Sequence, residues 1–177
     1  MTAGRHLARV ARDPSGSAAV EMAMVLPLLM VLAFGSFDMG NYFLNEHIVQ
    51  KAVRDGARYA SRQPLSDYAG CAASAGVETK IQNVTRTGVP APDQTDQDES
   101  RLPWWEATMG GQPTVSVNVD CDSSGTYTGI YNGWADGAVR VTVNADVPYP
   151  SLFGMFGLFN DSQFSLRASQ EAAVMGI

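Results

Sequence analysis

The sequence predicts an α+β protein: a long N-terminal membrane-spanning helix, then a small domain in which an antiparallel β-sheet packs on helix. Three observations point there. Residues 17–37 read SAAVEMAMVLPLLMVLAFGSF, an apolar run whose only charge is Glu21. Beyond it, Tyr42, Val49, Val53, Gly56 and Ala60 recur at helical spacing. Later, TVSVNVD and AVRVTVNADV alternate valine with polar residues, the period-two signature of a half-buried antiparallel strand.

The apolar run is long enough, at about 1.5 Å per helical residue, to cross the roughly 30 Å core of a bilayer. Arg5, Arg9 and Arg12 precede it, which favours a cytoplasmic N-terminus by the positive-inside rule. Lys51, Arg54, Arg58 and Arg62 follow on the far side, mixed with Glu46 and Asp55, but the first flank usually dominates. Three plainer accounts of the run stand beside a processed membrane helix. It fits a buried core helix poorly. It loosely fits a secretory signal peptide, with the stretch from Met22 to Leu32 and the small residues Ala33 and Gly35. It also fits a signal anchor that is never cut.

Glu21 separates these accounts. A carboxylate inside an apolar segment is costly and by default functional. Gly16 stands directly before the run, and Glu21 is the fifth residue after it. A cut after Gly16 would give Ser17 a new α-ammonium, the natural partner for Glu21 of a neighbouring, axially staggered helix. GSAAVEMAMVLPLLM, followed by FGSFDMGNYFLNEHIVQKAVRDGARYASRQ, resembles the TadE-like pseudopilins, minor pilin-like proteins of the tight-adherence, Flp-type pilus system. Gly16, Glu21, the aliphatic helix with Pro27 and the small-residue ending GARYAS carry the resemblance, with a weaker echo in the last strands.

The resemblance implies cleavage by a dedicated prepilin peptidase and a role in assembling or priming a pilus. The partners it implies are the peptidase, other pilin or pseudopilin subunits with their assembly machinery, and membrane lipid. The expected organisation is a basic leader over residues 1–16, a transmembrane helix over 17–37, a juxtamembrane helix over 38–63 and an extracytoplasmic α+β domain over 64–177. The expected location is the inner (cytoplasmic) membrane, single-pass, with incorporation into the pilus left open. The alternative function is an unprocessed, membrane-anchored binding or sensor domain.

Along the juxtamembrane helix, Lys51 with Asp55 and Asp55 with Arg58 have ion-pair spacing, and Pro64 is the stop. Gly56 and Ala60 either pack on the chain's own domain or admit another subunit's helix. Asp67 is a candidate cap for a second helix carrying Tyr68, Cys71, Ala75, Ile81 and Val84 and ending before Gly88. Residues 89–100 read as a solvated Pro-rich acidic loop, and the adjacent Trp104 and Trp105 as one core and one exposed side chain. A third strand is expected with Phe164, Leu166 and Ala168 inward. The apolar cluster over residues 152–159 is too short to span a membrane; it caps the sheet, dips into the membrane surface or meets a partner.

Cys71 and Cys121, the two cysteines of the chain, are expected to pair in an oxidising compartment. Charged residues make up 17% and net charge is −6; the leader holds Arg5, Arg9 and Arg12 against Asp13 alone, so the rest is more acidic than the whole, and no nucleic-acid partner is expected. No enzyme, metal site or cofactor is expected either. His47 has no evident catalytic partner, and there is no Gly-rich phosphate loop or paired carboxylates. Asp120, Asp122, Ser124 and Gly125 begin like a calcium loop, but Tyr131 stands where the closing Glu belongs, which leaves a Gly-rich turn.

Overall fold

The computed structural model describes residues 15–92, 100–102, 113–151 and 164–176, with side chains from residue 18. The leader arginines, the acidic residues 93–99, Trp104, Trp105 and the cluster at 152–159 lie outside the described residues. The chain divides into two units, residues 1–40 and 41–177. One helix, α1 (Ser15–Ser61), contributes to both.

In the first unit α1 is apolar on every face between Met22 and Phe37. Met24, Leu28, Leu32 and Phe37 are all more than half exposed, and so are most of their neighbours. A helix of this kind has no polar side to give to water, so its stable surroundings are lipid or other apolar helices. Pro27 removes one backbone donor without ending the helix.

In the second unit α1 becomes amphipathic. Val49, Ala52, Val53, Ala57 and Ala60 are buried, while Lys51, Arg54, Arg58 and Arg62 point to solvent. The helix ends at Ser61, two residues short of the expected 63. Arg62 and Gln63 donate backward to the carbonyls of Tyr59 and Ala60, three residues away. This tighter closing turn suits a chain in which Pro64 keeps residue 63 out of the α region. Asp55 departs from the expected local pairs with Lys51 and Arg58. Its Oδ2 lies 2.7 Å from Arg101, half-buried and far along the chain.

The second helix begins later than expected. Leu65–Tyr68 is a 3₁₀ turn that includes Asp67. Gly70 and Cys71 then adopt left-handed backbone angles, which interrupts any helix. Helix α2 runs from Ala75 to Arg86 behind Ser74, with Val77, Ile81, Val84 and Thr85 buried.

Strands β1 (Thr114–Asp122), β2 (Ala138–Pro148) and β3 (Ser165–Ala173) form an antiparallel sheet in the order β1-β2-β3. The register places Val119 opposite Val141, and Val141 opposite Ala172. Central β2 buries Val139, Val141, Val143, Ala145 and Val147 against the helices. The edge strands are covered less: Val117, Val119 and Ala168 are only half-buried. Leu166 points inward as expected, but Phe164 is 42% exposed. It precedes Ser165, the first residue of β3 in register with β2, and its carbonyl accepts from the Tyr149 N–H at 2.9 Å at the end of the sheet. The opposite sheet face is polar, with Arg140 bonded to Glu171 and Arg167 to Asp146.

Gly56 shows what the small-residue stripe is for. A Cβ at this position would run into the Thr85 hydroxyl on α2. Ala60 lies under Tyr68, whose hydroxyl donates to its carbonyl at 2.8 Å. The close approach is therefore made by the chain's own elements, and this face is not open to a second subunit's helix. Gly56→Ala is expected to cost about 1–3 kcal/mol, the usual range for overpacking. Thr85→Ala should recover most of that loss in the double variant. Additive losses in a urea-unfolding double-mutant cycle would refute the contact.

Candidate membrane helix, processing site and disulfide

Within the described residues, α1 is the helix long and apolar enough to cross a membrane, with a mean hydropathy of 2.1 over its best window and none of that window buried. Gly16 and Ser17 fall in its first turn. Glu21 follows one turn after Ser17, on a surface where Val20, Met22 and Val25 are all exposed. Residues four apart share a helix face, so the backbone at position 17 and the Glu21 side chain lie on one side. A carboxylate in the second turn also faces the positive end of the helix dipole.

Far along the chain, Cys71 and Cys121 form a disulfide with their Cα atoms 5.7 Å apart. It fastens the segment after the 3₁₀ turn to the end of β1. Two further ties act nearby. The Gly70 N–H donates to Asp136 Oδ2 at 2.9 Å, and the Met175 N–H to the Ser61 carbonyl at 2.7 Å. The end of α1, the C-terminal strand and the β1–β2 connection are thus held at one end of the domain.

Tyr68 is fully buried beneath this end. Burial pushes its phenol above the ordinary value of 10, and the negative charge of Asp67 adds to the shift. The folded protein therefore keeps this proton where an unfolded chain loses it. The associated stability is fully present below pH 10 and is lost as pH rises from there toward the folded-state value. Tyr68→Phe is expected to cost about 1 kcal/mol at neutral pH, for the hydrogen bond. The gap between wild type and variant should narrow as pH rises from about 10 to about 11 in urea-unfolding measurements. A gap independent of pH would refute the linkage.

The remaining sequence candidates resolve simply. His47 is exposed on α1. Among the described residues no three of His, Cys, Asp and Glu gather as metal ligands. Asp122 is occupied by its own turn: Oδ1 accepts from the Ser124 N–H at 3.0 Å and the Ser124 hydroxyl at 2.6 Å. These bonds hold its carboxyl below the ordinary range, which suits a capped turn.

Sequence reasoning missed the Asp55–Arg101 pair, because 46 residues separate its partners. It also passed over Tyr127 and Trp134, and took Tyr131 only as a misplaced loop residue; the three aromatic residues lie among the glycines of the β1–β2 connection, and their spacing was the available signal.

Residues 16–58 match the family model described as TadE-like protein. The match starts at Gly16, takes in Glu21, and continues through Gly56. No curated protein and no solved structure matches the chain.

Proposed function

We propose that this chain, TadE-like over residues 16–58, is a pseudopilin subunit that a prepilin peptidase matures by cutting between Gly16 and Ser17. Residues 17–37 hold it in the cytoplasmic membrane, with the N-terminus inside and residues 64–177 outside. Residues 38–63 carry the helix from the span into that domain. Glu21 then guides the helix into a tight-adherence, Flp-type pilus assembly, through contact with another subunit's Ser17 α-ammonium. The role is structural and requires no cofactor.

The observation that carries this reading is the Gly16–Glu21 spacing at the head of an uncovered apolar helix, inside the family match. An ordinary anchor gains nothing from Glu21. The disulfide agrees with a domain kept outside the reducing cytoplasm.

N-terminal sequencing of the membrane-extracted protein tests the reading, with Ser17 expected as the first residue. A start near Ser36 would mark a secreted protein, and an intact leader an unprocessed anchored binding or sensor domain. Gly lacks the Cβ that would obstruct entry of the backbone into a peptidase cleft. Gly16→Leu is therefore expected to accumulate as full-length precursor, and normal processing of that variant would count decisively against this cut.

A further inference from the structure

The connection between β1 and β2 runs from residue 123 to 137 and reads SSGTYTGIYNGWADG. Hairpin loops usually take two to five residues, and longer connections are commonly functional. This one is organised. Gly129–Tyr131 is a 3₁₀ turn, and the backbone N–H groups of Asn132, Trp134 and Gly137 each donate three residues back. The Tyr131 hydroxyl is anchored on the Val174 carbonyl at 2.6 Å, and Asp136 holds the Gly70 N–H. The Tyr127 ring meets Tyr131 edge-on, with centroids 6.3 Å apart and planes at 74°. Gly137 closes the base with φ +74°, where a Cβ would strike the Asp122 carbonyl.

These constraints hold open a hollow of about 310 Å³. Tyr127, Tyr131 and Trp134 line it with Ser123, Thr126 and Asn132, and among the described residues its lining includes no charged side chain. Trp134 packs partly into the core, but its indole Nε1 is buried and finds no hydrogen-bond partner among the described residues. Buried donors are rarely left so, because the lost hydration goes uncompensated.

We propose that this hollow binds one neutral sugar unit, a hexose or N-acetylhexosamine. A pyranose presents a C–H face that packs on aromatic rings, and a rim of hydroxyls that pairs with amides and hydroxyls. The hollow offers both: aromatic rings of Tyr127, Tyr131 and Trp134, and the polar side chains of Asn132, Thr126 and Ser123. Among the described lining residues, phosphates and carboxylates would meet no cation, and a cation would meet no carboxylate. A flat aromatic ligand would want parallel walls, whereas these two tyrosine rings stand steeply inclined. The size is at the lower end for small-molecule sites, which suits a single ring.

The test uses full-length protein in a detergent without a sugar headgroup, with ¹⁵N-labelled tryptophan. Trp134→Phe assigns the Trp134 indole resonance among the three tryptophans. Methyl glycosides of glucose, galactose and mannose, and N-acetylglucosamine, are titrated to about 50 mM, above the millimolar range expected for one ring. At least one should shift the Trp134 indole signal and show saturation transfer. Asn132→Ala, at the exposed rim, should weaken that binding roughly tenfold while keeping the disulfide. Gly16→Leu, blocked in processing, should bind as wild type does, so this site fails or stands separately from the pilin reading. The same sugar at the end of an oligosaccharide then distinguishes sources: tighter binding assigns the site to a glycan chain, equal binding to a free sugar. No indole shift with any sugar, or binding unchanged in both Trp134→Phe and Asn132→Ala, would overturn the proposal.

Discussion

Glu21→Gln is expected to insert in the membrane, form its Cys71–Cys121 disulfide, and then fail to co-purify with pilin partners or to support piliation. The reason lies in what a charge costs in lipid. A carboxylate near a helix centre is unfavourable by roughly 2.5–3.5 kcal/mol on insertion scales, and less near an end. Glu21 lies near the N-terminal end, where the helix dipole eases part of that cost. Further relief needs a cation, and cleavage after Gly16 would create one at Ser17 of every subunit. Glutamine keeps the shape and inserts more easily, but it cannot make the ion pair.

The competing account has Glu21 reaching the headgroups with no specific role. Under it the variant assembles normally. Wild-type piliation with Glu21→Gln would sink the pairing idea. Loss of insertion itself would show that the residue acts at an earlier step.

Removing the disulfide is expected to have the largest effect on the domain. The bridge joins residues 50 apart in sequence. Closing a loop of that length stabilises by about 4 kcal/mol in the chain-entropy account. Cys71 also occupies the left-handed region at φ 59°, which a non-glycine residue enters at some cost. The Cys71→Ser/Cys121→Ser variant should unfold at a urea midpoint lower by about 2 M, followed by tryptophan fluorescence. Reductant should bring wild type to the same midpoint. An unchanged midpoint would refute the stabilising role. Two reactive thiols in denatured, unreduced protein from cells would refute the bridge.

Much of this protein was written in local pattern. An apolar run as long as residues 17–37 can be read without knowing any contact, because the property is additive along the chain. The same holds for the valine alternation of β1 and β2, since pleating sends successive side chains to opposite faces whatever the partner. The two cysteines left one pairing to choose. The spacing of Gly16 and Glu21 was legible for a similar reason: both lie on one continuous helix, where sequence distance is spatial distance.

Tertiary structure decided what depends on who arrives from elsewhere in the chain. The sequence left Gly56 and Ala60 open to either a subunit or the chain's own domain; Thr85 and Tyr68 occupy the space. Asp55 had basic neighbours one turn away in both directions, yet Arg101 takes it in a half-buried setting where pairing matters more than on the exposed face. The start of α2 moved from Asp67 to Ala75 because the segment around Gly70 and Cys71 turns left-handed, and the partner of Cys71 lies on a strand fifty residues away. Period and composition report on a residue's own neighbours. A buried surface becomes specific only when distant segments meet, and that information is distributed over both of them.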